Sequence, residues 1–463
     1  MEELVTSIKH GSGNPAILLS FPEKKLRVRE AREALLLKAG MVIEEGMPLP
    51  SESKGAKLAS NAILSELDSN TKEIFKTTPY LTGIKELDTT TSKLWEHFRK
   101  PVELLLRKLI LGAPVIIRFH NDADGSSGAV ALNRSIQGIS EKMGLKPNII
   151  WIMHRSVMYT ATDAEWDTLV ANNFSTIEKP LLLITDFGTS ENSNRGIEAL
   201  RNNFDIIWLD HHPIEKNFSG ITLENYINPW EFGSGSDYTA GYLTCAFAHA
   251  FHDPYTKDME GASLIGDSSV HGSELSTGRE EAAILDLLTS DPIIISKADG
   301  NIVPSEIESI LSDKKKKSEF FNYAKVKLDE VLDRAFLEMK HLKAGSHEIL
   351  VLDYSEIRSE DTKYPLPGRF ASKLLTEADA RGGKHYMAIV HYNQFISMRA
   401  AGDVSDAVNI PEIIKKMKEI YSSGIDSGGG HKNAASIKIS AYGDKKEILR
   451  SITEEARERL ASL

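Results

Sequence analysis

Residues 114–128, PVIIRFHNDADGSSG, decide how the rest of the chain is read. Val115 to Phe119 is β-branched and aromatic, the composition of a buried strand. His120, Asp122 and Asp124 follow, and the run then breaks at Gly125, Ser126, Ser127 and Gly128. Alanine and leucine from Ala129 to Leu132 predict a helix from about Ser127 to Met143. In open α/β sheets ligands bind at the carboxyl ends of strands. Two carboxylates and an imidazole in that place are costly in a core and natural around a cation. Alternation by two would set all three on one face if the strand stayed extended. An Asx turn at Asp124-Gly125 is the plainer alternative. A calcium loop fails, because the twelfth position from His120 is Ala131 and not a bidentate Glu.

The same alternation continues outward. Strands are expected at Asn148 to Met153, Leu181 to Asp186 and Asp205 to Asp210, with helices near Asp163 to Asn172 and Asn192 to Asn203 between them. Strands alternating with helices predict a largely parallel sheet covered on both faces. Ile221 to Asn228 is a candidate further strand, and helices follow over Asp237 to Phe251, Asp258 to Ile265 and Arg279 to Leu288. A polar stretch near Asp299-Gly300, the run Lys314 to Lys317 and an amphipathic helix over Phe320 to Met339 predict a connection to a second unit. There a smaller α/β pattern begins: strand Glu348 to Asp353, helix Phe370 to Ala378, strands His385 to His391 and Gln394 to Ala400, helix Pro411 to Tyr421, then SGGGHKNAAS and helix Lys445 to Leu460. Before residue 110, Lys25 to Glu45, Ala56 to Ile74 and Leu94 to Leu111 carry helical spacing. That region is expected to be a helical extension, with the Gly-Ser-Gly around Ser12 a turn. The domain limits expected are 1–110, 111–295, 296–342 and 343–463.

A chain of 463 residues calls for two or three domains. With 41% hydrophobic and 26% charged residues the composition is that of a soluble globular protein, and a formal charge of −11 argues against a general polyanion binder. Cys245, the only cysteine, leaves no disulfide framework; its setting TAGYLTCAFAHAF predicts a buried helix and a reducing compartment, the cytoplasm. No segment reaches the roughly 20 apolar residues of a membrane span, and none resembles a signal peptide.

Asp186 closes LLLITD; alone it is more often a helix cap or turn acid than a ligand. Asp210, His211 and His212 follow IIWL, and three ionisable residues there need partners. Asp267 in GDS is ambiguous by itself, since Gly-Asp-Ser is also a plain turn. Together these residues supply enough imidazoles and carboxylates for two cations sharing one acid, the equipment for hydrolysing a phosphate ester. Hard oxygen ligands with imidazole suit manganese or magnesium. His249 and His252 are expected on a partly exposed helix face, and His271, His341, His347, His385 and His391 lack a convergent motif. Lys314 to Lys317 is expected to be a solvated linker. Gly428 to Gly430 before His431 is either an anion-binding backbone or a flexible hairpin loop, and Arg399 could add a guanidinium for phosphate.

HNDADG, the strand-ending Asp186, Asp210-His211-His212 and the GDS at Asp267 resemble the four ordered motifs of the DHH phosphoesterase superfamily. SMRAAG and GGGHKNAAS resemble the signature of the DHH-associated C-terminal domain, and within the superfamily the chain is most similar to the RecJ-like group, its archaeal branch and the GINS-associated nuclease. The resemblance implies one manganese on His120, Asp122 and Asp186 and another on Asp124, Asp186, His211 and Asp267, with Asp186 bridging. It makes Asp210 an orienting residue and His212 a contact to the scissile phosphate. Arg399, Gly429, Gly430 and His431 would hold substrate phosphates. The activity implied is an exonuclease on single-stranded DNA or RNA that releases nucleoside monophosphates. The alternatives are a phosphodiesterase for short RNA or cyclic dinucleotides, and a replisome factor binding GINS. His120 departs from the Asp usual in bacterial RecJ, and the oligonucleotide-binding domain of bacterial RecJ is not identifiable.

Overall fold

The computed structural model describes residues 1–10, 16–22, 25–31, 37–44, 47–48, 54–295, 300–359, 361–382 and 386–462. The chain divides into two compact units, one of Met1–Leu285 with Asn301–Ser312, the other of Asp286–Gly300 with Asp313–Leu463.

The first unit opens with strands, against expectation: β1 (Glu2–Lys9), β2 (Ala16–Ser20), β3 (Arg27–Ala31), β4 (Val42–Glu44) and β5 (Met47–Pro48). Among the described residues the helical reading of Lys25 to Glu45 fails at Arg27–Ala31 and Val42–Glu44, because tertiary burial overrides local spacing: Val42 packs in one core with Leu4 and Leu19. Residues 32–36 and 45 of that expected helix lie outside the described residues. The Gly-Ser-Gly around Ser12 lies outside the described residues. Three helices follow, α1 (Lys54–Ile74), α2 (Lys85–Leu94) and α3 (Arg99–Leu111), so the expected helix from Leu94 is interrupted by a 3-10 turn at Trp95–Phe98.

The central sheet comes next in the chain, with strands β6 (Val115–His120), β7 (Ile149–His154), β9 (Leu181–Thr185), β10 (Asp205–Leu209) and β11 (Tyr226–Ile227); β8 (Phe174–Thr176) falls between β7 and β9 in sequence. Of Ile221 to Asn228 only two residues join the sheet. Helices α4 (Ala123–Met143), α5 (Ala161–Ala171) and α6 (Asn194–Leu200) connect these strands; α7 (Ala240–His249) and α8 (Lys257–Gly266) follow them. The sheet order is β11-β10-β9-β6-β7, while β8 pairs with β1 of the N-terminal sheet. Every pair in the central sheet is parallel. The chain leaves β6 toward β7, then returns to the other side of β6 with β9. The carboxyl ends of β6 and β9 therefore form the topological switch point, where doubly wound sheets bind ligands. The strands are apolar throughout because both faces are covered: Val115, Ile117 and Leu183 face one core, Ile116, Leu182 and Ile184 the other. Helices α9 (Arg279–Ser290) and α10 (Pro304–Leu311) complete the first stretch of the chain.

The second unit begins with α11 (Lys314–Glu338), whose first turn contains the four lysines expected in a linker. Asp313 caps it by accepting from the Lys315 and Lys316 amides. Its sheet has the order β12-β13-β14-β15-β17-β16, built from β12 (Lys340–Ala344), β13 (His347–Asp353), β14 (Tyr386–Tyr392), β15 (Phe395–Ala400), β16 (Ile425–His431) and β17 (Ala434–Ile439). Helices α12 (Pro367–Gly382), α13 (Gly402–Val408), α14 (Ile410–Ile420) and α15 (Lys445–Ala461) cover it. Gly428 to Gly430 lie in the edge strand β16, paired with β17, and not in a loop. Pairing to β17 satisfies one side of this backbone, and as an edge strand β16 leaves its outward-facing N–H and C=O groups without a strand partner. His385 and the side chain of His431 lie outside the described residues. Among the described residues no helix is long and apolar enough to cross a membrane.

Candidate metal centre

Strand register assembles the site. Phe119 pairs with Thr185, and Thr185 with Leu209, so His120, the last residue of β6, stands beside Asp186 and Asp210, each one residue past its strand. Helix α4 starts at Ala123, earlier than expected, because Asp122 caps it by accepting from the Gly125 amide at 2.9 Å. Asp122 and Asp124 are therefore not an extended alternation: one ends the turn, the other lies in the first helical turn.

The carboxylates and imidazoles fall into two sets that share Asp186. His120 Nδ1 lies 2.6 Å from Asp122 Oδ2 and 3.8 Å from Asp186 Oδ2. His211 Nε2 lies 3.5 Å from Asp186 Oδ1, 3.7 Å from Asp124 Oδ2 and 3.6 Å from Asp267 Oδ2. His211 Nδ1 donates to the Ser236 carbonyl at 2.9 Å, which leaves the Nε2 lone pair facing three carboxylates. Ligands about 2.0–2.2 Å from one ion stand roughly 3.0–3.6 Å apart, close to the spacing around His211.

Asp186 is the residue the geometry turns on. It is 2% exposed, its backbone is left-handed at φ 68°, and its Oδ2 has no hydrogen-bond partner. Burial and then the carboxylates of Asp122, Asp124, Asp267 and Asp210 push its pKa well above the usual range. A buried carboxylate with one oxygen unpartnered, among other carboxylates, is unfavourable by itself and favourable once a cation sits between them. His120, Asp122 and Asp186 bring ligand atoms within 4.8 Å of one another, as do Asp124, His211 and Asp267, with Asp186 Oδ1 3.5 Å from His211; by its chemistry each set could hold a divalent ion.

Asp124 is held differently. Its oxygens accept from the Ala240 and Gly241 amides at 3.0 and 2.9 Å and from Ser263 Oγ at 2.5 Å, so the N-terminus of α7 faces it. A Cβ on Gly241 would stand 2.4 Å from the Asp124 carbonyl and 2.8 Å from its Oδ1, so only glycine admits this approach. Burial raises the Asp124 pKa, against the pull of His211.

Asp210 is buried, and both oxygens are occupied. Oδ1 accepts from the His211 amide at 2.8 Å and meets His212 Nδ1 at 2.8 Å; Oδ2 accepts from the Thr189 amide at 3.2 Å and hydroxyl at 2.6 Å. Burial opposes its charge, but His212 and these donors outweigh that and hold its pKa below the usual range. Burial also opposes the charge of His212, yet Asp210 lifts its pKa to about 9, so it is protonated near neutrality.

The expected site residues His120, Asp122, Asp124, Asp186, Asp210, His211, His212 and Asp267 thus gather at one place in the first unit. Arg399 lies on β15 in the second unit, where Nε donates to Ser372 Oγ at 2.8 Å and Nη1 to the Met398 carbonyl at 2.8 Å. A Cβ on Gly429 would meet nothing within 4 Å. Sequence reasoning missed Thr189, Ser236, Ser263 and the Ala240–Gly241 amides, which carry no motif. His249 corrects an expectation: it is buried, not partly exposed, bonded to Asp253 and Thr256 and stacked on Tyr80 with ring centres 3.6 Å apart.

A solved DHH-domain protein, described as a member of a family of ribosomal proteins, superposes with a TM-score of 0.73 at 20% identity, over 87% of this chain and 99% of that one. The chain has the fold of that DHH-domain protein. The α/β architecture expected for it, a parallel-sheet unit and a smaller α/β unit with a helical connection, is the one found. A manganese-bound RecJ exonuclease matches this DHH fold more distantly, with a TM-score of 0.47 and 13% identity over 79% of this chain and 95% of that one. The uncharacterized protein MJ1198 of Methanocaldococcus jannaschii is 26% identical over 234 residues, 47% of this chain and 30% of that relative's length. No family model matches the chain.

Proposed function

We propose that this site hydrolyses phosphodiester bonds with two divalent cations, manganese or magnesium. The chain would be a RecJ-like exonuclease on single-stranded DNA or RNA that releases nucleoside monophosphates. The observation that carries this reading is Asp186, whose two oxygens face different ligand sets and whose Oδ2 lacks any donor. Bound there, two cations would polarise the phosphoryl oxygen, activate water and offset charge on the leaving oxygen.

The chain's own residues do the rest. The Ser236 carbonyl fixes the His211 tautomer, and the α7 amides fix Asp124. Asp210 keeps His212 charged, so that its imidazolium can contact a phosphate oxygen. In the second unit, Arg399 and the backbone of Gly429, Gly430 and His431 would bind the substrate's other phosphates; the open space beside Gly429 supports that role.

The net charge of −11 favours a second reading, in which short oligonucleotides or cyclic dinucleotides are the substrate. End-labelled single strands and dinucleotides are incubated with manganese, using wild type and Asp186→Ala. Loss of monophosphate release in a folded Asp186→Ala supports the site; turnover of dinucleotides equal to or faster than that of long strands replaces the exonuclease with the second reading. Association with GINS or another replisome protein is a separate proposal, tested by pull-down from native cells.

A further inference from the structure

Asp186 has to be held in its left-handed backbone, and the residue after it shows how. Phe187 is 1% exposed, its ring stacks on His154 with centres 4.0 Å apart and planes at 16°, and its carbonyl accepts from Trp208 Nε1 at 3.0 Å. His154 ends β7, beside His120 in the strand register. It is buried, with Nδ1 3.1 Å from Arg118 Nη1 and Nε2 2.9 Å from the Met158 carbonyl. Arginine only donates, so Nδ1 accepts and Nε2–H donates: the ring is neutral and both nitrogens are engaged.

Arg118 is fixed in turn. On the inner strand β6, its guanidinium donates Nε and Nη2 to Asp167 at 2.8–3.1 Å and Nη1 to Asp163 at 3.1 Å. Tyr159 Oη adds a bond to Asp167 at 2.7 Å. A fully bonded buried network of this kind has one arrangement, and the end of that network is the face of the Phe187 ring.

We infer that His154 is a positioning residue: held by Arg118 and the Met158 carbonyl, it braces Phe187 and so keeps Asp186 in the conformation that divides its carboxylate between the two ligand sets. The inference rests on the proposed metal centre and adds residues that touch neither the ions nor the substrate. Supporting residues of this kind change metal affinity by about 10–100-fold when lost.

The test uses the full chain titrated with manganese, read by calorimetry and by electron paramagnetic resonance, where two ions bridged by one carboxylate give an exchange-coupled spectrum. Wild type should bind a coupled pair. His154→Ala should lose the coupling and at least 10-fold in affinity for one ion, within the range above. His154→Phe, which keeps an aromatic face against Phe187 but gives up the bonds to Arg118 and the Met158 carbonyl, should retain the coupling with a smaller loss of affinity than His154→Ala. Phe187→Leu, which keeps apolar volume and loses the ring, should behave like His154→Ala and covers the case in which that variant does not fold. A folded His154→Ala or Phe187→Leu with wild-type coupling and affinity overturns the brace alone. A wild-type protein that binds no pair overturns the metal centre and the brace together.

Discussion

Replacing Asp186 with Asn should stabilise the protein in one buffer and destabilise it relative to wild type in another. In the absence of metal, Asp186 is buried, its Oδ2 accepts no hydrogen bond, and its neighbours are carboxylates and the imidazoles of His120 and His211 at 3.8 and 3.5 Å. Ligand atoms of Asp186, Asp122 and His120 lie within 4.8 Å of one another, as do those of Asp186 and Asp210. Two full charges at that separation repel by about 3 kcal/mol at an effective dielectric of about 20. Partial protonation caps the cost, so Asp186→Asn should gain about 1–2 kcal/mol in EDTA, a rise in Tm of roughly 2–3 °C for a unit of this size. In manganese at about 100 times Kd the wild type gains about 2.7 kcal/mol and the variant, lacking the bridge, gains much less. The order of the two melting temperatures therefore inverts.

The pH series has a matching sign. Burial and neighbouring carboxylates raise the Asp186 pKa above its unfolded value, so the folded state holds the extra proton. That contribution to the stability of metal-free wild type is full below the unfolded pKa and is lost as pH rises through the higher folded one. Asp186→Asn should lack this component. Scanning fluorimetry across pH in EDTA and in manganese measures both effects. An Asp186→Asn that melts below wild type in EDTA would falsify the reading of Asp186 as an unpaired anion awaiting a cation.

Other outcomes follow from the same geometry. His154 is pushed from 6.5 to about 4, first by burial, so its neutral form contributes stability above pH 6.5 that is lost as pH falls toward 4. The span is about 3 kcal/mol at most, and urea unfolding of His154→Phe should show a correspondingly flatter acid limb. Asp210→Asn should leave manganese affinity within a few-fold of wild type, because both Asp210 oxygens serve protein donors, while kcat drops by about 10–100-fold as His212 loses its counter-charge. A large loss of metal affinity in calorimetry would make Asp210 a ligand. Gly241→Ala should displace Asp124, cost about 1–3 kcal/mol and weaken one cation more than the other, which manganese titration resolves.

The doubly wound unit could be read from PVIIRF, LLLIT and DIIWL because strands buried on both faces need continuous apolar runs. The same property hid the N-terminal strands: Glu2–Lys9 and Arg27–Ala31 mix charge with apolar residues, and only pairing to their neighbours makes them strands. Gly428–Gly430 was ambiguous for a related reason, since glycine has no side chain to show a period and its edge strand is set by β17. Of the proposed metal centre, the ionisable residues were visible as breaks at strand ends. The donors to them were not, because Ser263, Thr189 and the Ser236 carbonyl look like ordinary turn and helix residues until the chain is folded.

What separates a ligand from a supporting residue in this cluster is the count of donors each carboxylate already has. Asp210 accepts through both oxygens from amides, a hydroxyl and an imidazole, and a cation placed there would have to displace them. Asp186, in the next strand and one residue beyond the same register row, has an oxygen with none. Sequence position cannot tell these two apart, since both are aspartates one residue past an apolar strand. Their backbones can: Asp186 is left-handed at φ 68° and Gly188, two residues on, stands at φ 95°, a local turn on a non-glycine residue where Asp186 Oδ2 has no hydrogen-bond partner. An uncommon conformation on a non-glycine residue is tolerated here because Trp208 and the His154–Phe187 stack hold the next residue in place. The local cost of that conformation and the missing hydrogen bond are offset together by whatever positive charge the two ligand sets share.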